Sequence, residues 1–182
     1  MLICSSDGWL FSINDAIARD STFLDHLIST DKEENDFSAK ALQLNLIDGE
    51  ILAQVVSYLE KRQRGFEGYI SQEVWEAAFL AGNHGRLADL LIAADFLDIQ
   101  ALFKLICRGI CNVIKQENTP KDENRKAVLL GKILSLSPNI SIVDIWAKGE
   151  PGRKNDGRQD LEFQVRCRQI RLPDESQSDQ NY

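Results

Sequence analysis

The feature that most limits the fold of this chain is the run LADLLIAADFLDIQALFKLICRGICNVIK at residues 87–115. It reads as two helices broken at Leu97-Asp98. In the first, Leu87, Leu90, Leu91 and Ala94 follow the i, i+3, i+4, i+7 spacing that puts them on one helical face. Asp98 is placed to cap the second helix, since its carboxylate can accept an orphan N–H of the next turn. The second helix carries Ile99, Leu102, Phe103, Ile106, Ile110, Val113 and Ile114. It is apolar over more of its circumference than one buried face requires. Such a helix must be covered by its own core or by another protein.

Around this run the local signals change along the chain. Residues 2–5 and 9–13 read as two strands joined by Ser6-Asp7-Gly8, where glycine can adopt positive φ without steric cost. The alternation of Trp9, Phe11 and Ile13 with Leu10 and Ser12 predicts one face on a core. A helical turn at 14–19 follows. Ser21 then caps a helix with Phe23, Leu24, Leu27 and Ile28 inward. Residues 30–40, TDKEENDFSAK, read as a solvated loop, and 41–44 as a third strand. Asp48 caps a helix with Ile51, Leu52, Val55, Val56 and Leu59 on one face. That helix closes on Lys61-Arg62-Gln63-Arg64, charges that suit a helix C-terminus, and Gly65. Another short helix covers 72–81.

After the opening pair, Thr119-Pro120-Lys121-Asp122 is a helix start. Proline fits the first turn, where its missing N–H is harmless. This helix runs to about Leu136, and Ser137-Pro138-Asn139 breaks it. Residues 140–146 are a short apolar run, strand or helix by pattern alone. A Gly-rich charged linker is expected at 148–157, a further helix at 158–172, and a polar disordered tail at 173–182. Strands first and helices after is the α+β arrangement, not alternating βαβ.

Composition narrows the function. The 182 residues are 43% hydrophobic and 27% charged, enough for one domain and an extension. No apolar run approaches the roughly 18 residues of a membrane span. The start MLICSSDG lacks the basic and apolar regions of a signal peptide. Cys4, Cys107, Cys111 and Cys167 have no disulfide-scaffold or zinc-type spacing, so reduced thiols and a cytoplasmic or nuclear location are expected. The net charge of −7 disfavours binding to nucleic-acid phosphates.

The catalytic inventory is thin. His26 is expected on a helix and His84 in a turn, and neither is near a recognisable nucleophile. Cys107 and Cys111, at i and i+4, share a face, but two thiols do not complete a zinc site, so small core residues are the better reading. Cys4 is expected in the core too. Gly149 and Gly152 lack the strand and helix that a phosphate loop needs. The basic residues between Arg153 and Arg171 are interspersed with acids and read as ordinary surface. No catalytic, cofactor or metal residue is expected.

Several motifs resemble those of the Skp adaptors of SCF ubiquitin ligases. SSDGWLF at 5–11 is similar to the family's SSDG-x-x-F opening. IARDS at 17–21, the Ile51-Leu52 pair, VWEAAFL at 74–80, GRLADLLIAADFLDIQAL at 85–102 and CNVIK at 111–115 follow in the family's order. Elongin C shares the strand opening and an AANFLD-like motif but lacks the long helix after it. The resemblance implies a BTB/POZ-like α+β domain with a small N-terminal sheet and helices, here 1–98. It also implies a C-terminal helical extension, here 99–172. The implied role is an adaptor without chemistry of its own, bridging a cullin scaffold to F-box substrate receptors.

By resemblance the cullin-facing residues are Leu46, Ile47, Asp95 and Phe96. The F-box-facing ones are Ile99, Leu102, Phe103, Ile106, Ile110, Val113, Ile114 and Pro120. The chain also departs from the family. Asp95-Phe96 replaces Asn-Tyr, losing a hydroxyl and gaining a charge. Residues 128–152 are an insertion. The closing Trp-Cys-Glu-Glu is absent, with Ile170-Arg171-Leu172-Pro173 in its place. These departures keep a second expectation open: a divergent BTB/POZ module that oligomerises, or binds a cullin without F-box proteins.

Overall fold

The structure is a computed structural model, described here for residues 1–34, 41–66, 71–115, 120–136 and 140–149. The expected helix at 158–172, the tail, most of the expected linker and the break at 137–139 lie outside the described residues. The residues divide into two compact units, Met1–Ile106 and Cys107–Tyr182.

In the first unit, β1 (Leu2–Ser5) pairs antiparallel with β2 (Leu10–Ser12) and parallel with β3 (Leu42–Leu44), in the order β2-β1-β3. The register sets Ile3 opposite Phe11 and beside Leu42, and Cys4 opposite Leu10 and beside Gln43. Side chains alternate across a strand. Ile3, Ser5 and Leu44 are therefore buried, while Leu2 and Leu10 face outward and are exposed. Cys4 shares the outward face and is only half-buried, so it is not the core residue that the pattern implied. Of the expected inward trio, Ile13 is buried and Phe11 half-buried, but Trp9 is 52% exposed. Trp9 precedes β2 and belongs to the turn, where strand alternation no longer dictates direction.

A parallel β1–β3 pair needs a crossover, and α1 (Asp15–Ala18) and α2 (Thr22–Glu34) lie in it. Asn14 caps α1 through the N–H of Ile17. Helix α2 reaches Glu34, so the first part of the expected 30–40 loop is helical. The Thr30 hydroxyl donates to the His26 and Leu27 carbonyls, and lysine and glutamate are good helix formers.

Helix α3 (Gly49–Arg64) is capped by Asp48, whose carboxylate accepts the Ile51 N–H at 2.8 Å, and ends at Gly65 with φ of 77°. Its expected apolar residues are all buried. Helix α4 (Gln72–Gly82) packs aromatic rings near α3: Trp75 stacks on Phe79 at 5.3 Å, and Tyr58 lies 5.7 Å from Phe79. Helix α5 (Leu87–Phe96) buries Ala88 and Ala93 besides the four residues its spacing singled out. A helix apolar on nearly every side belongs in the middle of a domain.

Helix α6 (Gln100–Lys115) begins after a sharp corner. In the second unit, α7 (Pro120–Leu136) starts at its proline and ends where the sequence pattern placed it, with Ala127, Leu130 and Ile133 buried. The undecided run at 140–146 is resolved as helical: α8 spans Ile142–Gly149, taking Lys148 and Gly149 from the expected linker. Ser141 opens this helix, its hydroxyl accepting the Asp144 N–H at 3.0 Å while the Asp144 carboxylate accepts the Ser141 N–H at 3.3 Å and the Ser141 hydroxyl at 2.6 Å. That is a capping box with aspartate in the reciprocal position.

Candidate partner-binding surfaces

Two corners of the first unit hold the cullin-facing candidates. The corner before α3 is built from two interlocked turns. The Ser6 N–H donates to the Ile47 carbonyl at 2.8 Å. The Asp7 carboxylate accepts the Ser5 hydroxyl at 2.5 Å and the Gly49 N–H at 2.8 Å. The Ser5 hydroxyl is the main reason that the Asp7 carboxyl is held below its ordinary value; desolvation opposes it, and the backbone N–H groups of Asp7 and Gly49 add lesser lowering contributions. The first turn of α3 thus receives two carboxylates, Asp7 and Asp48, where its orphan N–H groups need acceptors.

This scaffold separates the candidate pair: Ile47 is 2% exposed and anchors the turn, whereas Leu46 is 71% exposed. Burial makes Ile47 a support, and Leu46 the residue that a partner can reach.

The second corner joins α5 to α6. Asp98 has φ of 48°. The Ile99 N–H reaches the Ala94 carbonyl at 2.8 Å, and the Asp98 N–H reaches the Asp95 carbonyl at 3.0 Å. This is the Schellman pattern, with aspartate at the left-handed position usually held by glycine. Asp98 therefore closes α5, besides standing ahead of α6 as its sequence position implied, and its carboxylate takes the Gln100 side-chain amide at 2.5 Å. Ser21 fixes this corner to α2: its hydroxyl donates to the Leu97 carbonyl at 2.5 Å and accepts the Leu24 N–H at 3.1 Å. On this frame Asp95 and Phe96 are both exposed, and the Phe96 ring leans on Phe23 at 5.4 Å.

The ion pair between Arg86 and Glu50 sets the start of α5 beside the start of α3. Phe96 is the last residue of α5, about 15 Å along the helix axis from its start.

The F-box-facing candidates are placed differently. In the first unit, Ile99, Leu102, Phe103 and Ile106 are each 2% exposed or less; in the second, Ile110 and Ile114 are 0% and 3% exposed, and Val113 is half-buried. Pro120 is the first residue of α7. Among the described side chains of this stripe, only Val113 is more than 3% exposed.

Within the second unit, α8 covers a different side of α6. The Cys111 thiol approaches the Ile145 carbonyl at 3.8 Å, and the Lys115 ammonium lies 4.8 Å from the Trp146 ring centre. A Cβ on Gly149 would fall 2.7 Å from the Cys111 sulfur and 2.8 Å from the Cys107 carbonyl oxygen. Glycine is what allows this approach. Cys107, Cys111 and Lys115 are spaced i, i+4, i+8, so α8 runs along one stripe. Both cysteines are fully buried; burial, and secondarily the neighbouring Cys111, push the Cys107 thiol up to about 12. A thiol held protonated is a poor nucleophile and a poor metal ligand.

In the second unit, part of the apolar surface of α6 is therefore covered by the chain itself. The segment read as an insertion from the sequence, 128–152, contains this covering helix, α8. Among the described residues no group of three or more His, Cys, Asp or Glu could hold a metal ion, and no helix is long and apolar enough to cross a membrane. His26 and His84 are exposed.

A three-stranded sheet crossed over by helices, with exposed apolar side chains held on rigid corners, defines a BTB/POZ-like interaction domain. The family model described as "Skp1 family, tetramerisation domain" matches residues 1–64, ending with α3. Among curated relatives, SKP1-like protein 9 of Arabidopsis thaliana is 30% identical over 124 residues, 66% of this chain and 78% of its own length. SKP1-like protein 12 of the same plant is 29% identical over 125 residues, 67% of this chain and 78% of its own length. SKP1-like protein 17 is 31% identical over 113 residues, covering 62% and 72%. The chain belongs to the Skp1 family, a family of adaptors rather than of enzymes.

Proposed function

We propose that this chain bridges a cullin scaffold to F-box substrate receptors in an SCF-type ubiquitin ligase, serving protein degradation without performing chemistry itself. The supporting observation is the pairing of family motifs with exposure: Leu46 and Phe96 stand exposed on two hydrogen-bonded corners. Residues fixed in this way lose little conformational freedom on binding. Asp95 and Phe96 meet the cullin with an added charge and without the family's hydroxyl. Residues 1–98 act as the cullin-binding domain and 99–172 as the F-box-binding extension, in the cytoplasm and nucleus.

The closed α6 stripe favours a second reading beside the first, a BTB/POZ module that binds a cullin without an F-box protein. An F-box touching Ile110 or Ile114 must displace the chain that now buries them, and that cost is subtracted from its affinity. Purified full-length chain, mixed with a panel of cullins and F-box proteins and resolved by size exclusion, tests both. A ternary complex is expected for the adaptor, and a binary cullin complex for the second reading. A folded chain that binds neither class contradicts both.

A further inference from the structure

The corner that carries Leu46 holds a second exposed apolar side chain that the family motifs do not single out. Trp9 is 52% exposed, yet its indole is seated: a Cβ added to Gly49 would lie 2.6 Å from two of its ring atoms. Gly49 has no positive φ, so space, and not backbone conformation, is what glycine supplies there. The turn bearing Trp9 is bound to the turn bearing Leu46 through the Ser6 N–H to the Ile47 carbonyl and the Asp7 carboxylate to the Gly49 N–H, both at 2.8 Å. The Ser5 hydroxyl also accepts the Trp9 N–H at 2.8 Å. Of the acids at this corner, Asp7 and Asp48 are turned onto N–H groups of α3, and Glu50 is paired with Arg86.

We infer that Trp9 is a second apolar anchor of the cullin-facing surface, completing with Leu46 one preformed patch that takes an apolar recess of the cullin. The inference rests on the proposed cullin binding. Tryptophan is the side chain most often found to dominate an interface, because a large ring excludes water while ordering few torsions. Here the ring is ordered before any partner arrives. The acids beside it are already partnered, Asp7 and Asp48 by N–H groups of α3 and Glu50 by Arg86, so the occupant of this corner is apolar and not basic.

Full-length cullins immobilised as a panel and titrated with the full chain test this. Replacing Trp9 by Glu is expected to weaken cullin binding by about tenfold or more with an unchanged melting temperature. Gly49→Ala keeps the indole but unseats it, and is expected to weaken binding by a smaller factor. Leu46→Glu reports on the underlying surface. If Leu46→Glu abolishes binding while Trp9→Glu and Gly49→Ala stay within about twofold of wild type, a change too small for an anchor, the assignment of Trp9 is wrong and the cullin reading stands. If the wild-type chain binds no cullin, both are overturned.

Discussion

The corners at 46–49 and 95–98 and the stripe along α6 carry equally apolar residues at positions where family motifs place partner contacts, yet they differ in exposure. Leu46 and Phe96 are open, at 71% and 37%, while Leu102, Ile106 and Ile110 are fully buried. An apolar pattern shows that a surface must be covered; it does not say by what. At the corners, hydrogen bonds from Ser6, Asp7, Ser21 and Ile99 hold the backbone, so side chains there can remain exposed without loss of order. Along α6 the side chains themselves are the packing.

This contrast is broken most directly in the closed region. Leu102→Ala should destabilise the chain by about 2–5 kcal/mol, the range for emptying a packed site, read as a large drop in denaturation midpoint. An effect under about 0.5 kcal/mol, typical of a surface position, would mean the stripe is open in solution. Next in size, Gly149→Ala should cost about 1–3 kcal/mol by overpacking against Cys107 and Cys111. An unchanged melt would show that α8 does not lie on α6. Ser21→Ala removes a helix cap and a bond to the Leu97 carbonyl together, for about 1–2 kcal/mol. It should also weaken cullin binding, since the Phe96 corner is tied down there; stability loss with intact binding would separate the two.

A further effect is confined to alkaline pH. The Cys107 thiol is raised from an ordinary value of 9.0 to about 12, chiefly by burial. A thiol that ionises more readily in the unfolded chain leaves stability complete below pH 9 and lowers it as pH rises from 9 towards 12. Denaturant titrations of wild type and Cys107→Ala should diverge in slope with pH only in that window. Parallel curves would contradict the burial of this thiol.

Much of the fold is legible in the sequence because its signals are local. Asp48 and Ser21 cap helices through their own side chains, Pro120 starts α7, and Asp7-Gly8 turns the hairpin. What was missed depends on contacts distant in sequence. Residues 140–146 fit helix and strand alike, and only the capping by Ser141 and the clearance at Gly149 settle them as α8. Trp9 reads as an inward strand residue until Gly49, forty residues on, is seen beneath its ring. Asp98 reads as an N-cap because nothing in composition marks its positive φ. The candidate residues at 46, 47, 95 and 96 were legible through family motifs, but the split between Ile47 as support and Leu46 as surface was not. Nor was the closure of the α6 stripe.

In the proposed function, the exposed corners, rather than the buried stripe, are the surface ready for a partner. Titrating the chain against a purified cullin, with Phe96→Glu alongside wild type, tests it most directly. Binding by the wild type and a loss of about tenfold or more in the variant, at an unchanged melting temperature, is the predicted result. Equal binding by Phe96→Glu and wild type would contradict it.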